Sequence, residues 1–139
     1  MAQINHVLGL DVGTKRIGVA RVNMLARLPE PLDIIENDGA SELIKQLVAG
    51  HDIDAVVIGL PRGLDGQETE QTKLTRTWAK TLRKSLALPM FWQDEAVTTE
   101  LAKQFIAKHK ISPHLLDAVA ACIILEDFMH TPEDKRMPL

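Results

Sequence analysis

The chain of 139 residues contains a single cysteine, Cys122. That excludes an intramolecular disulfide and a cysteine-rich zinc site. Cys122 lies in an apolar helical pattern and reads as a small buried hydrophobe in a reducing compartment. A global basic field is also missing, since the formal net charge is -3. A nucleic-acid partner would have to be met by local positive charge. No apolar run approaches the roughly 18 residues that a membrane span needs. The first residues, M-A-Q-I-N-H, lack a basic segment leading into a cleavable apolar run. The expected location is the cytoplasm, with no membrane partner. Repeats, low-complexity tracts and linkers are absent too. The apolar fraction of 45% and charged fraction of 25% are those of an ordinary globular chain. A chain this long can bury one real core, so a single domain over 1–139 is expected.

What is present is organised around V-L-G-L-D-V-G-T-K-R-I-G-V-A, Val7 to Ala20. An apolar run ends in Asp11, a Gly-Thr-Lys-Arg turn follows, and a second apolar run begins. The pattern predicts strands over 5–11 and 17–23, with an acid at a strand end and a basic pair at the turn. Residues 32–36 add a third strand, and the short connections make an antiparallel meander. Ser41 is placed to cap a helix that carries Leu43, Ile44, Leu47 and Val48 on one face and stops at Gly50. The run 55–60, A-V-V-I-G-L, suits a central strand buried on both faces. Gly63, Asp65 and Gly66 predict a flexible loop before a polar helix over 67–86, whose apolar face is Leu74, Trp78 and Leu82. On that helix Lys73, Arg76, Lys80, Arg83 and Lys84 share a stripe about 100° wide with no acid between them. Such a stripe is suited to phosphate, although charge runs are more often merely solvated. A strand over 89–93 runs into Asp94-Glu95, Thr98-Thr99 opens a further helix, and Ser112-Pro113 opens the last, over 113–129. The tail 130–139 is expected to fray. Strand, strand, strand, helix, strand, helix, strand, helix, helix predicts an α/β domain. Its five-stranded mixed sheet combines an antiparallel meander with parallel strands and is flanked by helices.

Three acids can share one site in this plan. Asp11 and the Asp94-Glu95 pair end two strands, and alternation lets only one of the pair point toward Asp11. Asp117 lies in the last helix with Ala120, Ala121 and Ile124 at the following helical positions, so it is expected to face protein. The alanines let that helix approach the sheet. Carboxylate oxygens suit Mg²⁺ or Mn²⁺, and two such ions can serve phosphodiester hydrolysis. The five histidines have no ligand spacing, and no phosphate-binding G-x-x-x-x-G-K-[ST] loop or Ser-His-Asp pattern competes.

With these residues in view, the chain resembles the YqgF/RuvX family, the Holliday-junction-resolvase-like proteins of the ribonuclease H superfamily. The matching blocks are G-L-D-V-G-T-K-R-I-G-V-A at 9–20, V-V-I-G-L-P-R-G-L-D-G at 56–66, D-E-A-V-T-T at 94–99 and D-A-V-A-A-C-I-I-L at 117–125. The resemblance implies a ribonuclease H-like fold and a metal-dependent nuclease. Its substrate would be the 5′ end of precursor 16S rRNA or, alternatively, a Holliday junction. It also implies Asp11, Glu95 and Asp117 as catalytic metal ligands, with Asp94 in reserve. Lys15 and Arg16, Arg62 and the helix stripe Lys73, Arg76, Lys80 and Arg83 would hold structured RNA or branched DNA. One departure stands out: the family pattern D-E-R-[LF]-[ST]-T has arginine where this chain has Ala96. Alanine cannot fork onto phosphate, so Lys15, Arg16 or Arg62 would have to substitute, or substrate grip or activity is reduced; the rival reading is a non-catalytic RNA-binding ribosome-assembly factor. The first block alone also resembles sugar kinases and actin-like ATPases through D-x-G-T, but those need two lobes and a longer chain. A junction resolvase cutting two strands symmetrically would want a twofold dimer, whereas an rRNA-trimming enzyme would not need one, so the sequence leaves monomer and dimer open.

Overall fold

A computed structural model describes residues 3–63, 65–95 and 98–139. Ala96, the departure from the family pattern, lies outside the described residues. Six strands and four α-helices follow in order: β1 His6–Val12, β2 Arg16–Asn23, β3 Glu30–Glu36, α1 Ala40–Gly50, β4 Ala55–Pro61, α2 Glu70–Ser85, β5 Met90–Glu95, α3 Thr99–His109, α4 Leu116–His130 and β6 Met137–Pro138. The sheet order is β3-β2-β1-β4-β5-β6. β1, β2 and β3 form the expected antiparallel meander, and β4 and β5 join β1 in parallel.

Alternation divides the apolar residues between two layers. Val7 in β1 and Val57 in β4 turn to one face, where they pack with Phe105 of α3 and with Leu125 and Phe128 of α4. Leu8, Leu10, Val56 and Ile58 turn to the other, against Ile44 of α1 and Leu82 of α2. Burial on both faces is why β1 and β4 read as continuous apolar runs. No helix among the described residues is long and apolar enough to cross a membrane.

Several local expectations shift. Helix α1 starts two residues earlier than Ser41 implies: Gly39 caps it at φ 73, and Ala40 is its first residue. The left-handed conformation costs glycine little and so sets the boundary. Helix α2 buries Thr72, Thr75, Ala79 and Leu82, while Leu74 is 54% exposed. The threonines can be buried because their hydroxyls donate to the Pro61 and Gln71 carbonyls, at 2.5 and 2.8 Å. Counting apolar residues alone therefore rotates the helix away from its true inward face. Thr69 caps α2 in a reciprocal arrangement with Thr72. Thr69→Ala should cost about 1 kcal/mol, measurable as a lower urea midpoint with an unchanged m-value. The last helix begins with a short 3-10 turn at Pro113–Leu115 before α4 proper.

The chain end corrects the expectation of fraying and raises the strand count from five to six. Residues Glu133–Lys135 form a 3-10 turn, and β6 pairs antiparallel with β5 through Phe91↔Pro138 and Trp92↔Met137. Beyond it the Leu139 N–H donates to the Met90 carbonyl. A two-residue strand carries no periodic signal, so nothing in the tail announces it. The loop after β4 is braced as well, with Gly63 N–H donating to the Gln67 carbonyl and Gly66 N–H to the Gly63 carbonyl.

Candidate nuclease site

Asp11 stands at the carboxyl end of β1, on the face that α4 covers. Its β2 partner in the register is Gly18. A Cβ built on Gly18 would lie 1.8 Å from the Asp117 carbonyl oxygen, so the first turn of α4 rests directly on the β2 backbone. The same face has Gly9 beneath Leu125 and Gly59 beneath Ile124, where Cβ atoms would fall 2.5 and 2.3 Å from those side chains. Close approach of the helix therefore depends on three strand glycines as well as on the α4 alanines. The signal lay in the sequence as glycines of one alternation parity on adjacent strands.

It is the backbone of Asp117 that faces the sheet. Its side chain is 43% exposed, and its Oδ2 accepts from Arg16 Nε at 3.2 Å. This corrects the expectation of a carboxylate turned fully into protein: the apolar stripe of α4 begins at Ala118, one residue later. The β1–β2 turn that carries Lys15 and Arg16 is pinned from β3's end. Asn37 Nδ2 donates to the Gly13 carbonyl at 2.7 Å, and Asn37 N–H donates to the Lys15 carbonyl at 2.8 Å.

Pleating separates the Asp94-Glu95 pair. Glu95 pairs with Pro61 and shares its parity with Phe91, which packs on the α4 side. Asp94 shares its parity with Met90 and Trp92, which pack on the α1–α2 side. Asp94 accepts from Arg62 Nε at 3.0 Å.

Asp11 lines two hollows. One, of about 280 Å³, is shared with Gly13, Thr14, Lys15, Arg16, Gly18 and Asp117. The other, of about 220 Å³, is shared with Gly59, Pro61, Arg62, Glu95, Ala120 and Ile124. Asp11 is thus flanked by Asp117 on one side and Glu95 on the other, with cationic side chains on both rims. Burial, reinforced by the negative charge of Asp117, pushes the Asp11 carboxyl up to about 6. A divalent cation would reverse that like-charge cost, and an all-oxygen donor set matches Mg²⁺ or Mn²⁺ chemistry. Among the described residues no three acidic, histidine or cysteine side chains stand close enough to form a ready-made cage. That is compatible with Mg²⁺, which keeps several waters and binds through one or two carboxylates.

The α2 stripe lies on the opposite sheet face. Its site-proximal members are already engaged: Lys73 is 3.7 Å from Glu70, while Arg76 donates to Glu68 at 2.6 Å and lies 5.4 Å over the Trp92 ring. Lys80 and Arg83 are exposed further along. Arg83 is about 15 Å beyond Lys73 along the helix axis. The stripe runs away from the acids, and the cations beside them are Lys15, Arg16 and Arg62.

Solved structures with this fold include the RuvC of Thermus thermophilus in complex with a Holliday junction substrate. It aligns with a TM-score of 0.63 at 12% identity, covering 97% of this chain and 99% of that one. The fowlpox virus resolvase, solved with Holliday junction DNA, aligns at 0.53 and 12% identity over 90% and 97% of the two chains. These likenesses show that the chain shares the fold of those two proteins. Relatives named "Putative pre-16S rRNA nuclease" are closer in sequence. That of Orientia tsutsugamushi is 38% identical over 87% of this chain and 81% of its own length. That of Roseiflexus sp. is 35% identical over 89% and 93%. The family model described as "RuvX: Holliday junction resolvase" matches residues 5–131, and the chain belongs to the RuvX family.

Proposed function

We propose that this chain is a metal-dependent nuclease that hydrolyses phosphodiester bonds in structured nucleic acid, with the 5′ end of precursor 16S rRNA as its substrate. The observation that carries the reading is Asp11, held at the carboxyl end of the interior strand β1 between Asp117 and Glu95 and bordered by Lys15, Arg16 and Arg62. The rRNA assignment is supported by the names of the relatives. The family description favours a second substrate, a four-way DNA junction. Asp11, Glu95 and Asp117 would hold Mg²⁺ or Mn²⁺, as one ion or two. Bound there, the metal supplies Lewis-acid stabilisation and a water activated for attack. The residues around it do the rest. Lys15, Arg16 and Arg62 hold the backbone phosphates at the acid edge. Lys73, Arg76, Lys80 and Arg83 extend the positive surface on the far face. Phosphate contacts fix register without reading bases, which suits a target recognised by shape. The cytoplasm is the proposed location.

The test compares wild type with Glu95→Gln in Mg²⁺ and in Mn²⁺, on a precursor-16S 5′ fragment and on a four-way DNA junction. RNA cleavage that falls at least about a hundredfold in Glu95→Gln supports the reading. Symmetric cutting of the junction alone transfers the substrate to branched DNA. Binding without turnover on either probe overturns the nuclease and leaves an RNA-binding assembly factor.

A further inference from the structure

We infer that Asp94 is a positioning residue for Arg62, and that the pair forms a phosphate clamp at the mouth of the hollow containing Asp11 and Glu95. The inference deepens the nuclease reading and rests on it. Neighbouring acids at the end of β5 divide their work by pleat: Glu95 lines the hollow, while Asp94 faces the other side and takes the Arg62 guanidinium. Arg62 is the residue immediately after β4. Its root is held on both sides. The Pro61 carbonyl accepts from the Thr72 hydroxyl at 2.5 Å, and Gly63 N–H donates to the Gln67 carbonyl at 2.8 Å. Its head is held by Asp94 Oδ1 at 3.0 Å through Nε. The Arg62 side chain is accordingly 24% exposed, against 66% for Arg16.

An untethered guanidinium beside two carboxylates would collapse onto them and occupy the place of a cation. Asp94 supplies a competing carboxylate on the outer side, away from Asp11. A guanidinium carries five N–H donors in a planar fork, and the bond to Asp94 engages Nε. The plane so fixed is suited to a phosphodiester oxygen pair entering the hollow. Asp94 therefore acts through Arg62 and does not touch the substrate or the metal.

Metal-free binding separates this role from ligation. In EDTA, a fluorescent precursor-16S fragment and a four-way junction are titrated with wild type, Arg62→Ala, Asp94→Ala and the double variant, across a salt series. Arg62→Ala should weaken binding about tenfold and lower the log–log salt slope by about one. Asp94→Ala should weaken it several-fold in the wild-type background and not at all in the Arg62→Ala background. Asp94→Glu should restore part of the loss. Mn²⁺ affinity by calorimetry should be unchanged in Asp94→Ala and reduced in Asp11→Asn. Independent, additive losses from the two single variants overturn the clamp. Weakened Mn²⁺ binding in Asp94→Ala overturns it too, by making Asp94 a ligand. Coupling without any cleavage by wild type keeps the clamp and removes the nuclease. Cleavage lost in Asp11→Asn without coupling keeps the nuclease and removes the clamp.

Discussion

Asp11→Asn is expected to silence cleavage and, in the metal-free protein, to raise the melting temperature. Loss of activity follows from the position of Asp11 between both other acids. On the proposed reading Asp11 would be a metal ligand, and its removal would forfeit several kcal/mol of charge stabilisation, which is about a thousandfold or more in rate. The gain in stability has a separate cause. Asp11 is pushed from 3.8 to about 6 by burial and by Asp117, so its ionised form is disfavoured in the fold. The cost to the native state at neutral pH is about 3 kcal/mol at most. Asparagine keeps the shape and removes the charge. The sign fixes the pH window. Above about 6 the wild type bears the full cost, and the variant is the more stable. As pH falls from about 6 to 3.8 the native state takes up the proton first, so the difference shrinks. Below 3.8 both states are neutral at this position and the two proteins melt together. Melting curves in EDTA between pH 3 and 8 read this directly. Saturating Mn²⁺ should then favour the wild type, because only it gains the full linkage stabilisation of a bound ion. A variant that melts below wild type at pH 8 in EDTA contradicts the electrostatic account.

Gly18→Ala is expected to be the most damaging single methyl. The added carbon would meet the Asp117 carbonyl oxygen at 1.8 Å and its carbonyl carbon at 2.5 Å, both of them backbone. No side chain can rotate out of the way, so the first turn of α4 must back off by about 1.5 Å to reach ordinary contact near 3.4 Å. Overpacking of this kind costs about 3 kcal/mol. For a chain of this size that lowers the melting temperature by about 10 °C. On the proposed reading, a shift of an ångström at Asp117 would also cost about a hundredfold in rate. The control is Gly50→Ala. Nothing lies within 4 Å of a Cβ there, and the residue is helical, so the change should be neutral or stabilise by up to about 1 kcal/mol. Equal effects at the two glycines would refute the contact argument.

The parts of this molecule legible in the sequence are those with a repeated local signal. The β1–turn–β2 unit, the buried run of β4 and the Thr98 cap of α3 announce themselves through alternation, continuous apolarity and capping chemistry. Register is different. Whether Asp94 or Glu95 joins Asp11 depends on the pairing of Pro61 with Glu95, a long-range fact that no local spacing contains. The inward face of α2 was obscured because Thr72 and Thr75 are polar by name and buried by hydrogen bonding. The place of Asp117 at the start of the last helix was legible. Its exposure was not, because that depends on where a 3-10 turn hands over to α4.

The contact of Asp117 with Gly18 spans most of the described fold in sequence, and it sets an order of assembly. The meander of β1 to β3 is made of neighbours in the chain and can form while later residues are still being synthesised. The acid edge cannot, because α4 follows every one of the five longer strands. A nascent chain ending before residue 116 carries Asp11 and Glu95 but lacks the third acid. It also leaves the Val7–Val57 face uncovered. On the proposed reading, the three acids come together only once the chain has been made as far as α4.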